Sequence, residues 1–304
     1  MTNSRNGVVV VGSITTDVTA FADRLPRPGE TVLGEAVTLV LGGKGANQAV
    51  ASAHFGAPTW MIGCVGDDPF ATLATESLAG HGVHIDRVRR VQGPTGVAHI
   101  RVDASGQNDI VITPLANAQL DEAMVDAGLA ELAPRAAVLL LQLEVRHDIT
   151  VYAAGVGRRA GLRVVLDPAP AAVLPAELWP DIDVVTPNES EAARITGVEV
   201  TDADSAERAA RWFLDRGVGQ AIITLGDKGA VSVDATGRSE FKAFDVDVVD
   251  TTAAGDAFTG TFGAAVALGR ADALPLAMAA GALAVTKPGA SPSLPTHDEI
   301  IQLH

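Results

Sequence analysis

The chain has 304 residues, 47% hydrophobic and 19% charged, and its 22 Lys plus Arg against 37 Asp plus Glu leave a formal net charge of −15. That composition can bury a sizeable core and argues against a disordered chain. Its acidity argues against non-specific binding to nucleic acid or to an anionic membrane, since both need clustered positive charge. One cysteine, Cys64, rules out an intramolecular disulfide and any cysteine-based metal spacing. The start, Met1 to Asn6, is polar and lacks an apolar signal core. Val8–Val11 and Ala136–Leu141 are far too short to span a membrane. The expectation is a cytoplasmic protein with neither nucleic acid nor membrane as partner. The length allows two domains, but large α/β folds of this size often form one, and one domain over 1–304 is the reading taken here.

The run Val8-Val9-Val10-Val11 ends in Gly12-Ser13 and reads as a buried strand. Ala136–Leu143, Arg163–Leu166, Asp183–Thr186 and Ala221–Leu225 read the same way, and Cys64 follows an apolar strand as core packing. Helical patterns lie between them at Ala46–Phe55, Pro69–Gly80, Asp121–Leu132, Ile149–Ala160, Glu189–Thr196 and Ser205–Arg216. Gly255–Leu268 and Asp272–Thr286 continue the helices, followed by a Pro/Gly/Ser loop at Lys287–Pro295. Strands alternating with helices imply a mostly parallel central sheet flanked by helices, a three-layer α/β fold.

Two segments break that rhythm. Thr16 to Val40 carries Pro26, Pro28 and Gly29 between short alternating stretches, and Gly96 to Ile112 alternates around Asp103-Ala104-Ser105-Gly106. Both read as antiparallel strands outside the main sheet. Composition alone favours ordinary edge hairpins over a small β-lid.

Several motifs carry the donors and acceptors that chemistry needs. Leu41-Gly42-Gly43-Lys44-Gly45-Ala46-Asn47-Gln48-Ala49 is a glycine-rich turn entering a helix, with Lys44 and Asn47 as donors near its start. It lacks the Walker A spacing, and taken alone a plain strand-to-helix turn is the favoured reading. Val249-Asp250-Thr251-Thr252-Ala253-Ala254-Gly255-Asp256 puts small residues before a helix whose first turn holds a carboxylate. N–H groups there bind anions, and Asp256 could accept a proton from a hydroxyl; alternatively it only complements the helix dipole. Asn188 with Glu191 resembles a capping box, and both could instead serve a Mg²⁺–water and phosphate site. Thr224-Leu225-Gly226-Asp227-Lys228-Gly229 could cover nucleotide phosphates or make a tight hairpin turn. Gly12, Glu144, Asn188 and Gly226 all fall at carboxyl ends of expected strands, where α/β sheets gather ligands. The seven histidines form no metal spacing; His81 and His84 read as a solvated loop. Gly-x-Ser-x-Gly is absent, so a serine-hydrolase elbow has no support.

Taken in order, these motifs resemble the ribokinase-like (PfkB) carbohydrate kinase family over nearly the whole chain. They include Gly12-Ser13-Ile14 with Asp17, Pro28-Gly29-Glu30-Thr31, Gly42–Ala49, Val65-Gly66-Asp67-Asp68, Thr95-Gly96-Val97-Ala98 and Gln142-Leu143-Glu144. They continue through Asp167-Pro168-Ala169-Pro170-Ala171, Thr186–Ala192, Thr224–Gly229, Asp250–Phe258 and Gly289-Ala290-Ser291-Pro292-Ser293. The resemblance implies a β-lid, about 15–41 and 95–113, that closes over the sugar and forms a homodimer contact. It implies ATP-dependent phosphorylation of a primary hydroxyl, with a pentose, D-ribose first, as acceptor. By matching position, Thr15, Asp17, Gly43, Lys44, Asn47 and Glu144 would meet the sugar, and Asp256 would be the base beside an anion hole of Ala253, Ala254 and Gly255. Asn188 and Thr224, Leu225, Gly226, Asp227, Lys228 and Gly229 would meet ATP, with Gly255 beside it. Glu191 would act on Mg²⁺ through water. Asp250, Thr252, Ala284, Lys287, Gly289 and Ser293 match a loop for a monovalent cation, K⁺, mostly through carbonyls.

Thr15 stands where relatives of this type usually carry Asn, and Ala253 where the wider family more often carries Gly. Met278 falls near the expected adenine edge. If the chain stays extended, Thr15 and Asp17 share one side of it. Alternatives are a kinase for another small sugar or a nucleoside, such as deoxyribose, and a catalytically silent sugar-binding regulator.

Overall fold

The computed structural model describes residues 5–304; of the polar start read above, Met1–Ser4 lie outside the described residues. β1 (Gly7–Val11) leads into a hairpin of β2 (Thr15–Phe21) and β3 (Ala36–Gly42), then α1 (Lys44–His54). β4 (Thr59–Val65), α2 (Pro69–Gly80) and β5 (His84–Arg90) follow, then a second hairpin, β6 (Gly96–Val102) and β7 (Asn108–Thr113). The chain continues as α3 (Glu122–Leu132), β8 (Ala136–Leu141), α4 (His147–Arg159), β9 (Arg163–Leu166), β10 (Val184–Val185), α5 (Glu189–Thr196) and α6 (Ala203–Leu214). It ends with β11 (Gln220–Thr224), β12 (Ala230–Asp234), β13 (Gly237–Phe241), α7 (Ala254–Ala267), α8 (Ala273–Ala284) and α9 (His297–Leu303).

Nine strands make one sheet in the order β13-β12-β11-β10-β9-β8-β1-β4-β5. It is parallel from β11 to β5, and β12 is antiparallel to both its neighbours. Alternation along the strands divides the core in two. Val9, Val11, Leu139 and Leu141 face α3, α4 and α6, while Val8, Val10, Val138 and Leu140 face α1, α7 and α8. The three layers expected from the alternating pattern are present. Among the described residues no helix is long and apolar enough to cross a membrane.

From β1 the chain runs outward to β4 and β5, then returns to β8 on β1's other side. The carboxyl ends of β1 and β8 therefore flank a switch point, where turns diverge and leave a crevice. Helices α1 and α7 converge beside it. The Ser52 hydroxyl donates to the Gly260 carbonyl at 2.8 Å, and a Cβ at Gly260 would lie 2.5 Å from the Gln48 carbonyl oxygen, so only glycine permits that approach.

The two irregular segments are not edge hairpins of the main sheet. They form a separate four-stranded sheet, β3-β2-β6-β7. Each hairpin is antiparallel as expected, but the two join through a parallel pair, Thr15 beside Gly96 to Phe21 beside Val102. That pairing spans some eighty residues and leaves no local signature. The sheet's roots are held by side chains: buried Asn117 accepts from the Ile14 N–H at 2.9 Å and donates to the Ile14 carbonyl at 2.8 Å, like a strand partner. Asp68, which caps α2, also accepts from the Thr95 N–H and hydroxyl.

Other departures have simple causes. β5 escapes a hydrophobic reading because, as an edge strand, it carries Arg87, Arg89 and Arg90, charges that discourage edge pairing. Cys64 lies within β4 rather than after it, buried beside Met124. His81 lies in the turn after α2, half-buried and bonded to His54 at 2.9 Å, while His84 is exposed but opens β5 and stacks on Trp60 rather than standing in a loop.

Candidate active site

At the switch point lies a cleft of about 190 Å³ lined by residues that include Lys44, Asp167, Asn188, Glu191, Ala253 and Asp256. Asp256 sits in the first turn of α7. The cap, Ala253, is left-handed at φ 60, a conformation that strains a residue with a Cβ. It turns the chain so that the first N–H groups of α7, which have no intrahelical acceptors, open on the cleft through Ala253 and Gly255.

Helix α1 supplies the other half. Gly43 caps it at φ 89, a conformation that a residue with a Cβ would adopt only under strain. The Lys44 ammonium lies 3.3 Å from Asp167 Oδ2 and 3.5 Å from Asp256 Oδ1, and 25% of its side chain is exposed, enough to reach a ligand in the cleft. Asn47 donates to Asp256 Oδ2 at 3.0 Å. Gln48 donates to Asp167 at 2.8 Å and to Asp256 at 3.2 Å. Burial alone would push the Lys44 pKa down, but Asp167, Asp256, Glu144 and Glu191 outweigh it and hold the ammonium charged. Asp167 is shifted up: it loses more to burial than the neighbouring ammonium returns.

Glu144, just beyond β8, accepts from the Ser13 hydroxyl at 2.6 Å and the Lys44 N–H at 2.8 Å. It thus ties the end of β1 to the start of α1. Asp17 reaches in from the second sheet; a Cβ at Gly42 would lie 1.9 Å from its carboxylate, so the glycine makes its room. The Thr15 hydroxyl donates to Asp17 Oδ1 at 2.9 Å, as alternation along an extended strand implies. Burial first, then repulsion from Glu144 and Asp256, pushes Asp17 up to about 6 against the opposing Thr15 hydrogen bond.

The nucleotide candidates are placed less uniformly. Asn188 and Glu191 do form a capping box: Asn188 accepts from the Glu191 N–H, and Glu191 Oε2 from the Asn188 N–H. Both residues also line the cleft, so the two readings coexist. Thr224 lines it too. The Thr224–Gly229 segment is a hairpin turn between β11 and β12, closed by Leu225 N–H to the Gly229 carbonyl. Its Leu225 side chain is buried in the core and Lys228 donates to the Thr201 carbonyl, so these two side chains point to other tasks.

Asp250 Oδ1 accepts from the Thr252 N–H and hydroxyl, and Oδ2 from the Gly289 N–H at 2.8 Å. Despite burial these bonds hold Asp250 below its ordinary value. They draw the turn before α7 against the loop after α8. Lys287 turns its ammonium to Glu299 at 2.6 Å. The Ala284 carbonyl accepts from the Lys287 N–H, and the Ser293 N–H and hydroxyl both donate to the Ala290 carbonyl.

Sequence reasoning assigned no role to Asp167, Gln48, Gln142 or Ser13. All four fall within the motifs of the resemblance, and Ser13, Gln142 and Asp167 lie at strand ends, which is the available signal; for Gln48, inside a helix, nothing local marks its burial against two carboxylates.

Residues 5–297 match the pfkB family carbohydrate kinases. The chain is 41% identical to a ribokinase of Haemophilus influenzae, with 98% of each chain covered. It is 36% identical to a deoxyribokinase of Salmonella typhi, with 84% of each covered. The solved structure of Arabidopsis thaliana ribokinase complexed with ribose and ATP superposes with a TM-score of 0.92 at 35% identity, covering 98% of each chain.

The raised Asp17 carboxyl carries a stability cost with a definite pH window. Its folded value, about 6, lies above the ordinary 3.8. As pH rises through 3.8 the unfolded chain releases this proton and the folded chain keeps it. The penalty therefore builds from pH 3.8 to about 6 and is complete above. Asp17→Asn, which still accepts from Thr15, is expected to stabilise the protein by about 2–3 kcal/mol at pH 8 and hardly at all at pH 4. Urea unfolding at both pH values measures this; an equal gain at the two would mean that ionisation of Asp17 is not the cost.

Proposed function

The chain belongs to the pfkB family of carbohydrate kinases, and from that premise we infer that it phosphorylates the primary hydroxyl of D-ribose with ATP, giving D-ribose 5-phosphate. The observation that carries the residue assignments is the meeting of Asp256 with Lys44, Asn47 and Gln48 at the start of α7. In this reading the sugar lies between Asp17 on the small sheet, Asn47 on α1 and Glu144 just beyond β8. Asp256 takes the proton of the attacking hydroxyl, and the N–H groups of Ala253, Ala254 and Gly255 receive the charge that develops on the transferred phosphoryl group. Lys44 is expected by position to meet the sugar; its partly exposed ammonium between Asp167 and Asp256 suits it as well to turn toward the transferred phosphate and neutralise it. The small sheet shields the cleft from water, which limits wasteful hydrolysis of ATP.

Oxygen donors suit magnesium, and Glu191 makes no hydrogen bond through Oε1. Asn188 and Glu191 would hold the ion through water, where it would supply positive charge to the nucleotide phosphates. Thr224 and the backbone of Gly226–Gly229 border the nucleotide side. A regulator without activity is disfavoured by the intact set of Asp256, Gly255 and Glu191. Deoxyribose is the second reading, favoured by Thr15: its hydroxyl is spent on Asp17, leaving one donor fewer for the sugar than an Asn would offer.

Three expectations follow from these assignments. In an ATP-consumption assay with ribose, deoxyribose, fructose and a nucleoside, the wild type should favour ribose, Thr15→Asn should shift kcat/KM further toward it, and Asp256→Asn should lose about 10²–10⁴ in kcat. No turnover of any of these sugars would overturn the substrate, and wild-type kcat in Asp256→Asn would remove it as the base.

The second concerns the loop pinned by Asp250. Backbone carbonyls of this loop would hold K⁺ beside the anion hole and order the α7 N–H groups without touching ATP. Activity should rise when potassium replaces sodium in desalted enzyme; equal rates in both would end this role.

The third concerns assembly. Val37, Leu39 and Val111 lie on one face of the small sheet, by register opposite the face bearing Asp17, and are 63%, 47% and 64% exposed. A second copy packed on this sheet would cover them, making a homodimer. Sedimentation should show a dimer that Leu39→Lys converts to monomer, whereas a monomeric wild type at micromolar concentration would contradict it.

A further inference from the structure

We infer that Gln48 is a positioning residue for phosphoryl transfer and that Gln142 steers it, an inference that rests on Asp256 being the base. Both glutamines are fully buried. The Gln48 amide nitrogen bridges Asp167 Oδ2 at 2.8 Å and Asp256 Oδ1 at 3.2 Å. The same two oxygens face the Lys44 ammonium and therefore accept, so the amide must present its two N–H bonds to them. Its oxygen then faces away and accepts from the Gln142 amide nitrogen at 2.6 Å. Turning either amide over would set carbonyl oxygen against carboxylate or against another carbonyl oxygen. The row has one arrangement, with every donation running from the end of β8 toward Asp256.

A second observation marks this row as more than packing. The Gln142 Oε1 atom is buried without a hydrogen-bond partner, a state proteins seldom keep. It sits against Gly12, where a Cβ would lie only 2.0 Å away. The glycine at the end of β1 therefore makes space for an amide whose acceptor is left unpaired so that its donor can point at Gln48.

The chemical consequence concerns the moment when Lys44 turns to phosphate. Asp256 and Asp167 would then be two neighbouring carboxylates without their shared cation. Gln48, a neutral donor buried behind the carboxylates, remains between them. It goes on donating to Asp256 Oδ1 and stops the carboxylate from rotating toward its neighbour. The charged and titratable groups facing this pair are Lys44 from α1, Glu144 beyond β8, Asp17 from β2 and Glu191 from α5.

The test is the pH profile of kcat with ribose and saturating ATP for Gln48→Met, Gln142→Met and the double variant, with Asp256→Asn as reference. Methionine keeps the length and burial of glutamine while removing its donors. A donor to the ionised form lowers a carboxyl pKa, so its loss raises it. Gln48→Met is expected to lose about 10-fold or more in kcat at pH 7, less than the ~10²–10⁴ of losing the base, with its acid limb moved up by about one pH unit. The KM for ATP should stay within about twofold, because Gln48 lies behind the carboxylates. Gln142→Met should move the limb the same way by less, and the double variant should be no worse than Gln48→Met, since both act through one amide. If Gln48→Met fails to fold, the limb of Gln142→Met decides alone. A fall in kcat with the acid limb unmoved, while Asp256→Asn is inactive, would make the row mere packing and overturn the inference with the base assignment intact. An active Asp256→Asn would instead remove the reading on which it rests.

Discussion

Two buried carboxylates, Asp167 and Asp256, share one ammonium, that of Lys44, at the point where β1 and β8 diverge. Removing charges from water is expensive, and attraction inside the protein offsets it only when the geometry is good and the remaining lone pairs are satisfied. Much of the surrounding architecture meets that condition. Asn47 and Gln48 supply neutral donors from the same helix turn as Lys44. Glu144 anchors the N-terminus of that helix to the end of β1 through Ser13. The close contact of α1 with α7, possible because Gly260 has no side chain, brings the donors and Asp256 within bonding distance.

The same constraint explains the small sheet. Asp17 is carried on β2, outside the main sheet, yet its carboxyl feels Glu144 and Asp256. Holding another negative group near that cluster raises its pKa and costs stability, which a purely structural side chain would not do. The sheet's roots are correspondingly rigid: Asn117 pairs with both backbone groups of Ile14, and Asp68 grips Thr95. Motion of this sheet would pivot about those roots, and its position sets how much water, and so how high a local dielectric, the charge cluster meets. The strained Ala253 belongs to the same logic, because a left-handed cap aims the first N–H groups of α7 at the place where negative charge would develop.

The alternation of β-branched runs with helical periods was enough to read the layered parallel sheet, because burial on both faces writes itself into composition. Strand ends rich in Gly, Asn and Asp located the cleft, since turns are where backbone groups are free to meet a ligand. Lys44, Asn47, Asp256, Asn188 and Glu191 were legible for that reason, and each lies in or beside the cleft. What the local pattern could not decide was pairing across distance. The parallel join of β2 to β6, which turns two hairpins into one separate sheet, depends on contacts some eighty residues apart. Asp167 and Gln142 are joined to Asp256 through Gln48 only after several crossovers bring their strand and helix ends together. A glutamine within a helix has the same propensity whether it faces solvent or two carboxylates. The tertiary structure alone decides, because burial and the position of the nearest charge, not the identity of neighbouring residues in the chain, determine what an amide must do.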